Sequence, residues 1–470
     1  MVTRYVTYFL QFAASFLIAI KLGPEALGKW SFILLIINFF NIVDFGIANS
    51  ANVLLVQNRD DKLKREQYLT AATVITTGMV LVVIFIYLIT LFFDIELLDK
   101  YNANEFLPVA LLVIVCAYYN KLFAAVYRVK NALFEVAFYQ SVVPALLFFV
   151  IIVFDNNLLW LLAGAYMVGG VASLCMFLSR GKMAFSKTID WKIIHNTLSK
   201  GFWLFLYNSA FYLIMYASSL SVSIYYEVGE YGKFHFAYTL AHAFILLIDA
   251  FGYIIFPKMI DRLKDNDYSH CISVIDTIRS NYLPLVYGLV FLGMPLYFFF
   301  CQFMPQYSDT SQAFFYSALA LLPYANCFGI NTYLIAQNEE RLLSSISIMS
   351  LLLNLIFLVL LIGLFHAPYS VIYVGVMITY SVYTFSCTYL LMRKRSKKVS
   401  IIKVFQYAFP IQFSLPFILA LILVSALGNS VGILYLFLPI LLFIIINHKS
   451  IIAVFNTIKV MIQRPTIVDL

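Results

Sequence analysis

Polar residues in this chain fall in short clusters, and the runs between them are apolar on every side. The stretch "YLTAATVITTGMVLVVIFIYLITLFF", residues 68–93, shows neither the alternation of a half-buried strand nor the single apolar stripe of a surface helix. A run of about 20 mainly apolar residues is what a bilayer-crossing helix requires. Barrel strands are shorter and alternate. The pattern predicts fourteen spans, at 3–21, 31–56, 68–93, 106–128, 133–154, 158–179, 202–226, 233–256, 282–301, 312–336, 342–365, 369–392, 405–426 and 431–447. The first begins almost at Met1, which is consistent with a gene start upstream. It lacks a small-x-small cleavage site and many similar segments follow, so it reads as a span and not as a signal peptide. The expected fold class is an all-α polytopic membrane protein of about 14 transmembrane helices.

Composition agrees: 63% of residues are hydrophobic and 11% charged, against roughly 25% charged in soluble domains. The net charge of +8 raises nucleic acid as a partner. Its distribution argues otherwise. With the N-terminus in the cytoplasm, 26 of the 31 basic residues fall on cytoplasmic segments. Only Lys21, Lys29, Lys100 and Lys233 fall outside, and Lys121 lies within a span. This positive-inside bias places both termini in the cytoplasm and explains the charge as loop basicity facing anionic lipid. The outside loops are as short as "DNN" at 155–157 and "HAP" at 366–368. They leave no room for the polar domain with which a glycan polymerase or ligase would hold its acceptor. The six cysteines form no CxxC pair and read as small apolar side chains. Gly-Lys at 28–29, 181–182 and 232–233 lacks the context of a P-loop, and no metal cluster or nucleophile constellation appears. No cofactor is expected.

Two phrases echo each other at an offset of 204: "LGPEALGKWSF" (22–32) and "EVGEYGKFHF" (227–236). Gly28-Lys29-Trp30-Ser31-Phe32 aligns with Gly232-Lys233-Phe234-His235-Phe236. Each phrase begins in the outside loop after an odd-numbered span, and its glycines are expected to serve a tight helix connection. Further matches lie at offsets of 204 to 207: Asp44-Phe45-Gly46 with the region of Asp249 to Gly252, "YYN" at 118–120 with "YAN" at 324–326, and Asn131 with Asn338. Spans 1–6 and 7–12 therefore read as a parallel duplication, which is a transporter architecture.

With "IVDFGIANS" at 42–50 and "VGEYGKFHFAYTL" at 228–240, these phrases make the chain resemble the multidrug/oligosaccharidyl-lipid/polysaccharide (MOP) exporter superfamily. Within it, the chain is similar to the Wzx-type O-antigen and polysaccharide flippases. One departure is the late part of span 7, "YASSLSVSIYY" at 216–226, which lacks the acidic-basic pair often found there. The resemblance implies a V-shaped pair of six-helix lobes around a cavity. The expected domains are an N-terminal lobe at 1–180, a basic connector at 181–200, a C-terminal lobe at 201–392, and a basic loop with two further helices and a tail at 393–470. It also implies a substrate: an undecaprenyl-diphosphate-linked oligosaccharide, moved from the cytoplasmic to the outer leaflet of a bacterial inner membrane. The implied partners are that substrate, the bilayer, a coupling proton or sodium ion, and a polysaccharide polymerase or ligase complex. The competing readings are a cation-coupled multidrug exporter of the same superfamily and a membrane glycan polymerase or ligase.

A charge at mid-bilayer costs about 2.5–3.5 kcal/mol on insertion scales, so each survivor needs a partner or a cavity. In span 4, Tyr118, Lys121 and Arg128 share one helix face descending toward the cytoplasm. An Arg fork and a Lys point charge suit a diphosphate. Against this, Arg128 is also placed as an interfacial anchor, and Lys121 is also placed to snorkel or to pair with Asp44. His235, His242 and Asp249 recur every seven residues in span 8, where they form either a proton relay or three unrelated structural groups. Asp44 and Asp249 occupy equivalent places, and each is a candidate to cap a helix break, bind a cation or pair with Lys121. Arg4 lies near the cytoplasmic boundary and is a candidate for an inward-opening cavity.

Overall fold

In the computed structural model, the described backbone covers residues 2–463 except 59–60, 131, 181–183, 187, 189, 264, 266 and 395–397. Within helices, side chains are not described for residues 2–6, 56–57, 133, 200, 203–204, 207–208, 211, 244–258, 260–261, 455 and 457–463. All regular structure among the described residues is helical. Lipid offers no hydrogen bonds, so each spanning segment must satisfy its own backbone, and a helix does this within one segment.

The first half comprises α1 (Val2–Ile42), α2 (Ile47–Gln57), α3 (Lys62–Thr90), the short α4 (Glu96–Lys100), α5 (Leu107–Val129), α6 (Leu133–Val153), α7 (Leu158–Arg180) and α8 (Trp191–Tyr225). α9 (Val228–Leu263), α10 (Tyr268–Phe303), α11 (Ser311–Ala325), α12 (Ile330–Ala336), α13 (Glu340–Leu358) and α14 (Ile372–Arg393) follow. The chain ends with α15 (Ile401–Ala408), α16 (Ile411–Leu427) and α17 (Ile433–Gln463). Among the described residues, ten helices are long and apolar enough to cross a membrane, or eleven if the bent pair of α11 and α12 is one span. The expected fourteen is not reached by this measure, for local reasons. The first two expected spans run together as α1, which passes through a kink at Gly23 (φ 71°) and restarts at Pro24. The second continues past a break into the 11-residue α2. The seventh and eighth fall on α8 and α9, where many side chains are not described.

The helices pack as two compact units, residues 1–232 and 233–470. In the first, α1 packs on α6, α6 on α7, α5 on α7 and α2, and α8 on α2 and α3. In the second, α10 packs on α17, α11 and α13 pack on α14, and α16 packs on α17. The duplication is visible in matching ring pairs, one set inside each unit. Phe32 stacks on Tyr101 with centroids 4.2 Å apart, and Phe236 stacks on Tyr307 at 4.1 Å. Trp30 meets Tyr166 edge-on at 6.4 Å, and Phe234 stacks on Tyr373 at 4.4 Å. The partners are offset by 204, 206 and 207 residues, so the aromatics of the repeated phrase anchor each copy to corresponding helices.

The glycines of the phrase do something other than connect helices. Gly28 lies inside α1 and Gly232 inside α9, and the two phrases cross face to face within the first unit. A Cβ on Gly28 would fall 2.1 Å from the Val228 carbonyl oxygen, and one on Gly232 would fall 1.9 Å from that of Pro24. At the offset of 204, position 24 corresponds to 228 and 28 to 232. The two contacts therefore join the same two phrase positions, taken in opposite order. Only glycine permits backbones to approach this closely, as at small-residue crossings between membrane helices. The tight connection itself falls to Gly23.

Candidate functional site

The break between α1 and α2 organises most of the predicted residues. Phe45 (φ 48°) and Gly46 (φ 65°) both adopt left-handed backbone there, which for a non-glycine residue costs about 1–2 kcal/mol. The turn is held by Asp44, whose Oδ1 accepts the Gly46 N–H at 2.9 Å. It is also fitted to α8. A Cβ on Gly46 would sit 2.7 Å from the Gly201 carbonyl oxygen, the Phe45 ring lies 5.1 Å from that of Phe205, and the Ser50 hydroxyl donates to Thr197 O at 2.7 Å.

A helix end leaves its last carbonyls without intrahelical partners. At the end of α1 they are taken up by side chains. The Tyr118 hydroxyl donates to Phe40 O at 2.9 Å, the Lys121 ammonium donates to Asn41 O, and Ser209 donates to Ile42 O at 3.4 Å. Lys121 Nζ also lies 3.3 Å from Asp44 Oδ2. A cation at a helix C-terminus is favoured by the macrodipole, and the carboxylate cancels its charge. Sequence reasoning left three roles open for Asp44, and this geometry contains two of them, the cap and the pairing with Lys121. The structure thus brings Tyr118, Lys121 and Asp44 together around one helix break.

Arg128 does not join them. It lies in the last turn of α5, on the side the basic loops share. Its Nε is shielded from water and has no acceptor. Arg65, near the start of α3, is in the same condition. Lys130, just past α5, has its ammonium pKa pushed down by burial and then by the charge of Arg65.

On α9, His235, Tyr238 and His242 form a ladder of rings. The His235 and Tyr238 centroids are 6.4 Å apart, and Tyr238 stacks on His242 at 5.2 Å. The Nδ1 of His242 is shielded and without a partner. The Asp249 side chain, third in the predicted stripe, lies outside the described residues, as does that of Arg4. Among the described residues, no group of three or more His, Cys, Asp or Glu side chains is placed to hold a metal ion.

Sequence reasoning did not single out Gly201, which packs against the break, or Lys100. Lys100, the last residue of α4, donates to Ser223 O (2.8 Å), Ile224 O (3.1 Å) and Tyr226 O (2.6 Å) at the end of α8. Tyr101 donates to Ser223 O at 2.9 Å beside it. Burial lowers the Lys100 pKa, with Glu227 and Glu230 pulling it back up. A lone basic residue among the acidic Asp94, Glu96, Asp99 and Glu105 of this loop was the available signal.

The fold is similar to that of the lipid II flippase MurJ in an inward closed conformation, with a TM-score of 0.68 and 16% identity over 97% of this chain and 98% of that one. It is also similar to a multidrug resistance MATE family transporter of the MOP superfamily in an inward-facing conformation, with a TM-score of 0.69 and 11% identity over 86% of this chain and 98% of that one. A MOP superfamily transporter from Pyrococcus furiosus, described as having a binding pocket of reverse polarity, matches at a TM-score of 0.52 and 11% identity over 87% and 96% of the two chains. A search of curated proteins by sequence finds no match. The architecture is therefore that of the MOP transporters. By sequence, the family model described as polysaccharide biosynthesis protein matches residues 1–261, more than half of the chain. The chain belongs to the polysaccharide biosynthesis protein family.

Proposed function

We propose that this multi-pass membrane protein flips a polyprenyl-diphosphate-linked oligosaccharide, an O-antigen or other surface polysaccharide repeat unit. The direction is from the cytoplasmic to the outer leaflet of the bacterial inner membrane. The observation that carries the reading is membership of a polysaccharide biosynthesis family in a chain with a MOP transporter fold. The balance of charge supports an anionic substrate over a cationic drug. The intramembrane carboxylate of Asp44 is offset by Lys121, whereas Arg128 forms no ion pair among the described residues. An exporter of cations needs the reverse. In this reading transport proceeds by alternating access: the lipid tail stays in the bilayer while the headgroup passes through the protein. A proton or sodium gradient drives the cycle, a polymerase or ligase takes the product, and both termini are cytoplasmic.

The test is leaflet-resolved. Deletion of the gene should leave lipid-linked repeat units on the cytoplasmic leaflet, inaccessible to an impermeant probe added outside, and proteoliposomes carrying the protein should restore access. Accumulation of unpolymerised units on the outer leaflet instead would point to a polymerase or ligase and sink the flippase reading.

A further inference from the structure

We propose that α15 lies in the plane of the membrane, on the face where the basic loops gather, and that together with the basic run before it this helix binds the headgroups of anionic phospholipid. The surface belongs to the second unit alone and is independent of what the protein carries.

α15 (Ile401–Ala408) sits between two helices apolar enough to cross the membrane, Tyr369–Arg393 and Ile411–Ser430. It belongs to neither. Eight residues of helix rise about 12 Å, too little for a hydrocarbon core of about 30 Å. Proline disfavours helix in the residue before it. Phe409 (φ −127°, ψ 78°) accordingly leaves the helix ahead of Pro410, which caps α16. The thirteenth span, expected at 405–426, therefore loses its first residues to α15.

At about 100° per residue, the side chains of α15 fall into three sectors. Val404 and Ala408 are buried, and α15 packs on α14. Ile401, Ile402 and Phe405 are exposed on the adjoining sector. Lys403 and Gln406 are exposed on the third. The helix cannot roll to hide its exposed apolar edge, because α10 grips it. The Tyr407 hydroxyl donates to Asp276 Oδ1 at 2.7 Å, and the Arg279 guanidinium donates to Tyr407 O at 2.8 Å. A helix with one side on protein, one apolar and one polar meets all three environments at the boundary of the bilayer. Beyond it, α16 exposes Ile411, Leu415, Ile418 and Ile422 along a span, so the lipid that covers the span begins beside α15.

Charge selects the kind of lipid. Arg393, Lys394, Arg395, Lys397, Lys398 and Lys403 follow one another closely, and no acidic residue occurs between Glu340 and Asp469. Lys394 is taken by Glu339 at 2.8 Å. Arg393, Lys398 and Lys403 are exposed. Clustered cations just beyond a span attract anionic headgroups, while the apolar edge sets the depth at which the helix rests.

The full-length protein in phosphatidylcholine nanodiscs, with and without phosphatidylglycerol, provides the test. The readout is amide exchange of residues 401–408, with α14 and α16 as internal references. Phosphatidylglycerol should slow exchange in α15 at least tenfold, and high salt should reduce the effect. Each cation near the surface is worth about fivefold. K403Q should therefore lose about fivefold of the slowing, and R393Q/K398Q/K403Q should show none. K403R keeps the charge and should match the wild type. K62Q, exposed in a different basic segment, should match it too. I402S/F405S should exchange quickly in both lipids while α14 and α16 keep their wild-type rates. The charge variants sit on the exposed surface, so they decide the question even where I402S/F405S folds poorly. Equal exchange of α15 with and without phosphatidylglycerol would overturn the proposal. So would slowing that survives in R393Q/K398Q/K403Q, or that K62Q loses as fully as K403Q does. Inorganic phosphate that slowed α15 equally in phosphatidylcholine alone would overturn the assignment to lipid.

Discussion

The crossing of the repeated phrases makes a sharp prediction for Gly28→Ala and Gly232→Ala. The new methyl carbons would lie 2.1 Å from Val228 O and 1.9 Å from Pro24 O. A carbon–oxygen contact is comfortable at about 3.3 Å, so α1 and α9 must part locally by about 1.2–1.4 Å. No side chain can rotate to relieve this, because the obstructing atoms are backbone carbonyl oxygens. Overpacking costs typically about 1–3 kcal/mol, and a backbone obstruction belongs at the upper end, about 2–3 kcal/mol per site. For a unit of this size each kcal/mol moves the melting temperature by about 2–4 °C, so each variant should melt about 5–10 °C lower in the same detergent. The symmetry adds a second condition. The two contacts are equivalent, so the single variants should cost about the same. The double variant should cost less than their sum, because the first methyl already separates the helices. Gly229→Ala is the control. It lies in the same phrase on α9 with nothing within 4 Å of its Cβ, so it should gain up to about 1 kcal/mol of helix propensity. If Gly28→Ala and Gly232→Ala melt like Gly229→Ala, the crossing as described is wrong.

Other sites give further tests. Asp44→Asn keeps an acceptor for the Gly46 N–H but removes the charge facing Lys121, whereas Asp44→Ala removes both. Asp44→Ala should therefore be the less stable in thermal melts, and adding Lys121→Ala should cost less than the sum of the two singles, by about 0.5–3 kcal/mol. Lys100→Met removes the donor to Ile224 O and Tyr226 O at the end of α8 and leaves Ser223 O with Tyr101 alone. It should destabilise by about 1–3 kcal/mol and speed amide exchange across residues 222–226 before the rest of α8. In the second unit, the Tyr407 hydroxyl donates to Asp276 Oδ1 at 2.7 Å, and the Arg279 guanidinium donates to Tyr407 O at 2.8 Å while lying 4.5 Å from the ring centroid. Tyr407→Phe loses one hydrogen bond, about 1 kcal/mol. Arg279→Lys loses the fork and the planar stacking together, and should melt lower than Tyr407→Phe.

What could be read from the sequence follows from which interactions are local. A helix in lipid is dictated by the run of apolar residues that forms it, so the spans were legible without knowledge of their neighbours. The helix count was less so, because Gly23-Pro24 kinks a helix without ending it and Asp44-Phe45-Gly46 ends one in mid-span. The duplication was legible because its marks are contiguous phrases. The use of those phrases was not: Gly28 and Gly232 read as turn residues until the backbone of the other copy is seen against each of them. The same distinction sorts the charges. Lys121, Arg128 and Tyr118 share a stripe by arithmetic, and a stripe suggests a common ligand. Their partners decide otherwise, because Tyr118 and Lys121 are committed to the open end of α1, which Arg128, a turn or more beyond Lys121 and with its Nε unfilled, does not join. A helix break in mid-membrane needs donors for its open carbonyls, and here a hydroxyl and a cation from α5 supply two of them. The polar residues that a substrate-first reading assigns to the cargo are therefore the ones the fold needs for itself. In a chain so poor in charge, the cations left over after every helix end has been satisfied are the ones to assign to a substrate.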